Sequence, residues 1–244
     1  MTASAEGGRV ERAERIAIRF EPSPWAAAAP HRAAIAEHFG AFTARHPGVW
    51  NGRILLSRAH ALAGGVLTGT CFESDYASYL AWRDGVFSDD AVKNCFGMGI
   101  IEASDGAYVL GVMGGHTANA GMAYFPAGTL EPDDLVDGLV DYEGSIRREV
   151  EEETGLTPAD YVASPDWYVV FAGFRVAMGK LLRAHAPGDA LRACILDHLA
   201  REAEPELSDI LVVRDPADLA APMPPHMPLF LHYAWAAGRR GEGL

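Results

Sequence analysis

Residues 148–156, REVEEETGL, crowd four glutamates and an arginine into two helical turns and close on a glycine. At about 100° per residue, Glu152 lies about 60° to one side of Glu149 and Glu153 about 40° to the other. The three carboxylates therefore share one arc. Glu151 falls nearly opposite, on the solvated side, and Ile146 and Val150 sit where they can pack inward. Like charges at this spacing repel, and they stand toward the helix C-terminus, where the dipole disfavours anions. Gly155 ends the segment as a C-cap. The chain must therefore dock the apolar edge of this helix on a layer beneath it and turn the acidic arc toward something that tolerates it. A hard divalent cation does so, because Mg²⁺ and Mn²⁺ prefer carboxylate oxygens, water and phosphate. A merely solvated acidic face is the alternative.

Charge narrows the partners. The formal net charge is −13 over 244 residues, which argues against a nucleic-acid surface, since phosphate backbones need clustered Lys and Arg. A small phosphorylated substrate remains compatible if metal ions carry the positive charge. Cys71, Cys95 and Cys194 are scattered, with no Cys-x-x-Cys pair, so neither a disulfide framework nor a thiolate zinc site is expected. The stretch MTASAEGGRVERAERI is polar, with no apolar centre of an export signal. No run reaches the ~20 apolar residues of a membrane span; WYVVFAGFRVAMG is too short and holds Arg175. A cytoplasmic protein without membrane or nucleic-acid partners is expected, and a homodimer is compatible with the chain.

Residues 1–13 read as a tail, RIAIRF (15–20) as a strand, and 30–46 as a helix with Pro30 in its first turn. GRILLSRAHALAGGVLTGTCF reads as two strands around Gly64-Gly65. ESDYASYLAWRDG is a helix capped by Ser74 or Asp75 and followed by Gly85. Tyr76, Tyr79, Leu80 and Arg83 share a face of it; Arg83 is able to neutralise a phosphate, although packing of an aromatic face explains the pattern equally. From about residue 95, apolar strands follow around an Asp105-Gly106 turn. A short third strand, GMAYFPAG, comes before the acidic helix. DWYVVFAGFRV reads as a strand, 188–201 as a helix, LSDILVV as a strand, and a last helix follows Pro228. Strands and helices mix without regular βαβ spacing, which favours an α+β, mixed-sheet sandwich. An N-terminal accessory α/β region (1–90) and a larger C-terminal domain (91–244) are expected.

REVEEETGL resembles the second half of the Nudix box, Arg-Glu-apolar-x-Glu-Glu-x-Gly-apolar, at every defined position. The first half, a glycine, five residues and a glutamate, is similar to GTLEPDD, Gly128 to Asp134, preceded by FPA. Asp134 stands where the family has glutamate, and thirteen residues (135–147) separate it from Arg148 where the family has seven. This insert, with Gly138 and Gly144, is expected to loop out before the helix and leave 148–154 undisturbed. The resemblance implies a Nudix-type α/β/α sandwich and a metal-dependent hydrolase that splits a pyrophosphate bond in a nucleoside diphosphate derivative. It implies that Glu149, Glu152 and Glu153 bind Mg²⁺ or Mn²⁺, that Glu152 and Glu153 serve catalysis, and that Arg148 orients a carboxylate. Gly128 would shape the loop beside the metal. A Nudix-fold sensor that binds a nucleotide without cleaving it is the competing class.

Weaker candidates surround this cluster. In MGGHTANAG, His116, Thr117 and Asn119 are placed to meet substrate, or form an ordinary loop. Among the acids of EAEPELSD, Glu206 is favoured as an extra ligand or base because Pro205 fixes the turn before it; a solvated acidic loop is the alternative. Trp167, with Tyr168 and Phe171, offers a ring to stack on a base or sugar, although alternating strand residues more often form core. A nucleotide sugar is the substrate this reading favours.

Overall fold

The computed structural model describes residues 8–117, 119–219 and 221–239. Among these residues, twelve strands are joined by hydrogen bonds around one shared strand, β5 (Val92–Glu102). β5 runs parallel to β11 (Arg175–Ala184) from Asn94 to Glu102. On its other edge its start pairs with β3 (Arg53–Ala63) and its end with β6 (Tyr108–Met113). The C-terminal sheet continues through β10 (Tyr161–Ala172) on one side, and through β6 to β12 (Leu207–Val213) and the two-residue β7 (Ala123–Tyr124) on the other. The second sheet contains β3, β4 (Val66–Asp75), β2 (Arg15–Phe20), and a small hairpin, β8 (Leu135–Val136) and β9 (Leu139–Val140). The expected boundary near residue 90 falls just before the strand that both sheets share.

Alternation along β5 builds an α/β/α sandwich. Cys95 and Ile101 face a core shared with Ile146 and Val150 of α3 (Tyr142–Thr154) and Leu191 and Ile195 of α4 (Gly188–Leu199). Phe96, Met98 and Ile100 face the opposite core, with Met227, Phe230 and Leu231 of α5 (His226–Arg239). Gly97 and Gly99 let α3 approach the sheet closely: a Cβ would stand 2.7 Å from Ile146 Cγ1 at the first and 2.5 Å from Val150 Cγ2 at the second. Full burial of Ile146 and Val150 contributes about 1.5–3 kcal/mol each. This holds the acidic helix in place despite the repulsion on its other side. A third core lies under α1 (Arg32–Thr43) and α2 (Tyr76–Arg83), around Trp25, Phe72, Leu80 and Trp82.

Three elements differ from the sequence reading. Arg9–Ala13 is β1, paired antiparallel with Phe171–Trp167 of β10, so this part of the expected tail is an edge strand; residues 1–7 lie outside the described residues. The stretch read as one strand, DWYVVFAGFRV, is the end of β10, a turn and the start of β11. Gly173, at φ 63°, takes the left-handed conformation the reversal needs. The insert 135–147 loops out only in part. Its first six residues form the β8–β9 hairpin around Asp137 (φ 51°) and Gly138 (φ 76°), a two-residue turn with both centres left-handed. The rest belongs to α3, which starts at Tyr142. Gly144 is no obstacle there, because its N–H donates to the capping carboxylate of Asp141 at 2.9 Å.

Candidate functional site

Helix α3 ends as the sequence requires. Gly155 takes φ 70° and its N–H donates to the Glu151 carbonyl. His198 of α4 lies over the last turn, with Nε2 3.1 Å from the Glu152 carbonyl oxygen and 3.1 Å from Glu202. The acidic arc is graded in exposure. Glu152 is exposed, Glu149 half-buried and Glu153 buried, while Glu151 is exposed as expected. Arg148 joins Asp134 at 2.9 Å and Glu149 at 3.4 Å. Asp134 is buried and also accepts from the Glu131 N–H at 2.9 Å. The carboxylate that Arg148 orients is therefore Asp134, brought back to the helix by the closed base of the hairpin, where the Asp141 N–H donates to the Asp134 carbonyl at 2.8 Å.

Gly128 lies against the Glu149 carboxylate so closely that no Cβ fits between them. Next to it, the Ala127 N–H donates to Glu153 Oε1 at 3.3 Å, and Glu153 Oε2 is buried with no partner. Burial pushes the Glu149 carboxyl up to about 7; Arg148 pulls against it, and Glu152, Glu206 and Asp134 add repulsion. Burial also drives Glu153 well above the usual carboxylate range, reinforced by Glu206 and Glu149. Glu206 is raised by burial, opposed by His116 and reinforced by Glu152 and Glu202. Four carboxylates from two distant segments thus share one electrostatic environment, and Glu206, singled out among the acids of its loop, belongs to it. Of the others there, Glu202 pairs with His198 and Asp209 with Arg192.

The donor set is all oxygen, and burial with mutual repulsion opposes its ionisation, a penalty that a hard divalent cation would relieve. Among the described residues no three His, Cys, Asp or Glu side chains converge closely enough to hold a metal as they stand. The fit is one of donor chemistry, centred on the orphaned Glu153 oxygen.

Gly128 opens onto a cleft of about 460 Å³. Asn119 lines it and donates to the Tyr124 hydroxyl at 3.5 Å. His116, exposed in the same loop, stands beside Glu206 across the Gly114–Glu206 backbone contact. Trp167 is not brought to this site. It is buried beneath Lys180, whose Nζ lies 4.3 Å from its ring centroid, and meets Tyr142 edge-on. Glu152 and Arg148 also border a second depression, of about 480 Å³, beside the hairpin. Sequence reasoning missed Arg175 and His226, which line the cleft at Gly128. The available signal was an arginine two residues after a glycine inside an otherwise apolar run.

No family model matches the chain, and no curated protein matches it. Solved structures do. A Nudix hydrolase from M. smegmatis, RenU, is 11% identical over 60% of this chain and 84% of that one, with a TM-score of 0.39. The E. coli ORF135 protein is 19% identical over 61% and 94%, at 0.34. The MutT protein from Methanosarcina mazei Go1 is 20% identical over 38% and 64%, at 0.25. No residue role is carried over from them. Among the described residues, no helix is long and apolar enough to cross a membrane.

Proposed function

We propose that the protein hydrolyses the pyrophosphate bond of a nucleoside diphosphate derivative, of the nucleotide-sugar kind, with Mg²⁺ or Mn²⁺, in the cytoplasm. One observation carries this reading. Glu149 packs against Gly128 and Glu153 beside Ala127, with one Glu153 oxygen buried and unsatisfied, and Glu206 adds repulsion to both. A buried charge without a partner costs several kcal/mol, and a cation bound by these carboxylates offsets that cost. Glu149, Glu153 and Glu206 would hold it, with Glu152 contributing from the exposed end of the arc. Bound there, the cation supplies charge neutralisation on the phosphates and a more acidic attacking water. The remaining work falls to the chain. Arg148, fixed on Asp134, holds the Glu149 carboxylate in place through a charge-assisted contact. Gly128 leaves room for the Glu149 carboxylate, which any side chain there would displace. Glu153 accepts the proton of the attacking water on the oxygen that does not hold the cation.

The test is a phosphate-release screen over nucleotide sugars, dinucleotides and coenzyme A derivatives, with Mg²⁺ and with Mn²⁺. Turnover of one class that vanishes on chelation is the expected result. No turnover on any of them, with saturable metal-dependent nucleotide binding, would establish a sensor instead.

A further inference from the structure

Helix α2 reads in sequence as a helix packing an aromatic face. In the structure it divides. Leu80 goes fully into the core and Tyr79 is buried beside it, while Tyr76, Arg83 and the accessible edge of Tyr79 line the cleft that reaches Gly128. The opposite wall comes from the β10–β11 turn and the start of α5, through Phe174, Arg175 and His226. The cleft therefore joins the N-terminal region to the carboxylate site.

Its charge is opposite to that of the rest of the chain. Arg83 pairs with its neighbour Asp84 at 2.7 Å, and Asp84 is shared with His38 at 3.1 Å. Arg175 has no carboxylate partner among the described residues; its Cζ lies 4.2 Å from the Phe174 ring centroid. Burial, and then the nearby Arg83, hold its pKa below the usual arginine value. His226 Nδ1 is buried with no partner. Two guanidiniums thus face one cleft with a single, already shared carboxylate between them, in a protein of net charge −13. Arginine in such a place is suited to bind a phosphate through two parallel N–H donors. The aromatic lining is equally specific. The Tyr76 and Tyr79 rings are 5.6 Å apart, and the Tyr79 hydroxyl accepts from Asn94 at 3.2 Å. The volume, about 460 Å³, is in the range of small-ligand pockets.

We propose that this cleft seats the nucleoside monophosphate half of the substrate, with its phosphate on Arg83 and Arg175 and its base and ribose against Tyr76 and Tyr79. The second phosphate then lies toward Gly128 and the carboxylates. That placement rests on the hydrolase reading; the binding of the nucleotide half does not.

The test therefore uses the full chain in a chelator, without divalent ions, and measures calorimetric binding of adenosine and uridine 5′-monophosphates. The corresponding nucleosides and inorganic phosphate serve as the other arms. At least one monophosphate should bind more tightly than its nucleoside and than inorganic phosphate. Arg175→Gln should weaken it at least tenfold, and Arg175→Lys should recover part of the loss. Arg83→Gln, at a separate position, repeats the test should Arg175→Gln fail to fold. Absence of monophosphate binding overturns the proposal, as does equal affinity in wild type and a folded arginine variant. Inorganic phosphate binding as tightly as the nucleotide overturns the nucleoside part. Tight, arginine-dependent monophosphate binding in a protein that cleaves no pyrophosphate leaves the subsite standing and removes the hydrolase. Turnover with an unchanged KM in Arg175→Gln does the reverse.

Discussion

Helices α2 and α3 are built alike and both approach the Ala127–Thr129 loop, α2 across the cleft it lines and α3 through Glu149 and Glu153. Each starts on an aspartate cap, with Ser78 N–H donating to Asp75 at 2.8 Å and Gly144 N–H to Asp141 at 2.9 Å. Each buries an apolar edge and turns its other edge toward the Ala127–Thr129 loop or its neighbours. One presents carboxylates, the other two tyrosines and an arginine. The acidic end is repulsive until something cationic enters, and the basic end lacks an anion. A ligand carrying phosphates with a bound cation satisfies both.

The largest expected effect tests the acidic end. Glu153→Gln keeps the side chain's size and removes its charge, so kcat on the best pyrophosphate substrate should fall at least ~100-fold, the low end for losing a positioned base. The fold should survive, since a buried carboxylate driven far above its usual range becomes a neutral amide. A melting temperature equal to or above wild type in metal-free buffer checks this. Wild-type turnover in Glu153→Gln and in Glu149→Gln would reduce α3 to a solvated face.

The two helices were not equally legible. The arc of Glu149, Glu152 and Glu153 follows from helical period alone, and so did the solvated Glu151, because all four positions lie within two turns. Burial along that arc was not legible: it depends on Gly97 and Gly99 of a strand far away in sequence, which set how deeply the helix sinks. The Asp134–Arg148 pair was obscured by the insert. Thirteen intervening residues look like a broken motif until six of them close into a hairpin and restore the contact. At the basic end, Arg83 was visible as a phosphate candidate, but its partner Arg175 arrives from another strand pair, and no local periodicity links them. Trp167, for which packing in the core was the favoured reading, shows the converse limit. Alternation in a strand shows which residues share a face, not whether that face is the core or a cleft, and the ring proves to lie under Lys180.

A smaller effect is expected from cutting out the hairpin. Deleting residues 135–140 joins Asp134 to Asp141, whose backbones already meet in a hydrogen bond. It removes the buried Val140 and the single registered β2–β9 pair, Arg19–Leu139. Stability should fall by about 2 kcal/mol, the burial contribution of one valine-sized side chain, read from urea unfolding. Turnover should stay within about threefold, less than 1 kcal/mol on the barrier, provided Arg148 still reaches Asp134. A collapse of kcat in a deletion variant that melts normally would make the hairpin part of the site.

The last comparison sets the two caps against each other. Asp141→Ala removes one hydrogen bond to Gly144 and should cost about 1 kcal/mol. Asp75 accepts from the Ser78 N–H and hydroxyl and from Arg32, so Asp75→Ala should cost nearer to about 2 kcal/mol, the upper end for a cap. The functional consequences should separate the helices more sharply than the stabilities do. Glu149 lies two turns beyond the cap of α3, past Ile146, which anchors the helix on Gly97. Fraying at Asp141 therefore stops short of the carboxylates, and kcat and KM should both hold. Helix α2 has only eight residues, so Tyr76 and Tyr79 stand within little more than one turn of Asp75 and loosening there reaches most of the helix. Loosening that cap should raise KM and weaken metal-free monophosphate binding several-fold while leaving kcat at saturation in place, because no group of α2 touches the scissile bond. Steady-state kinetics and calorimetry on the two variants decide the matter. If Asp75→Ala lowers kcat with KM unchanged, α2 helps to position the reacting groups, and the division of labour between the two helices fails.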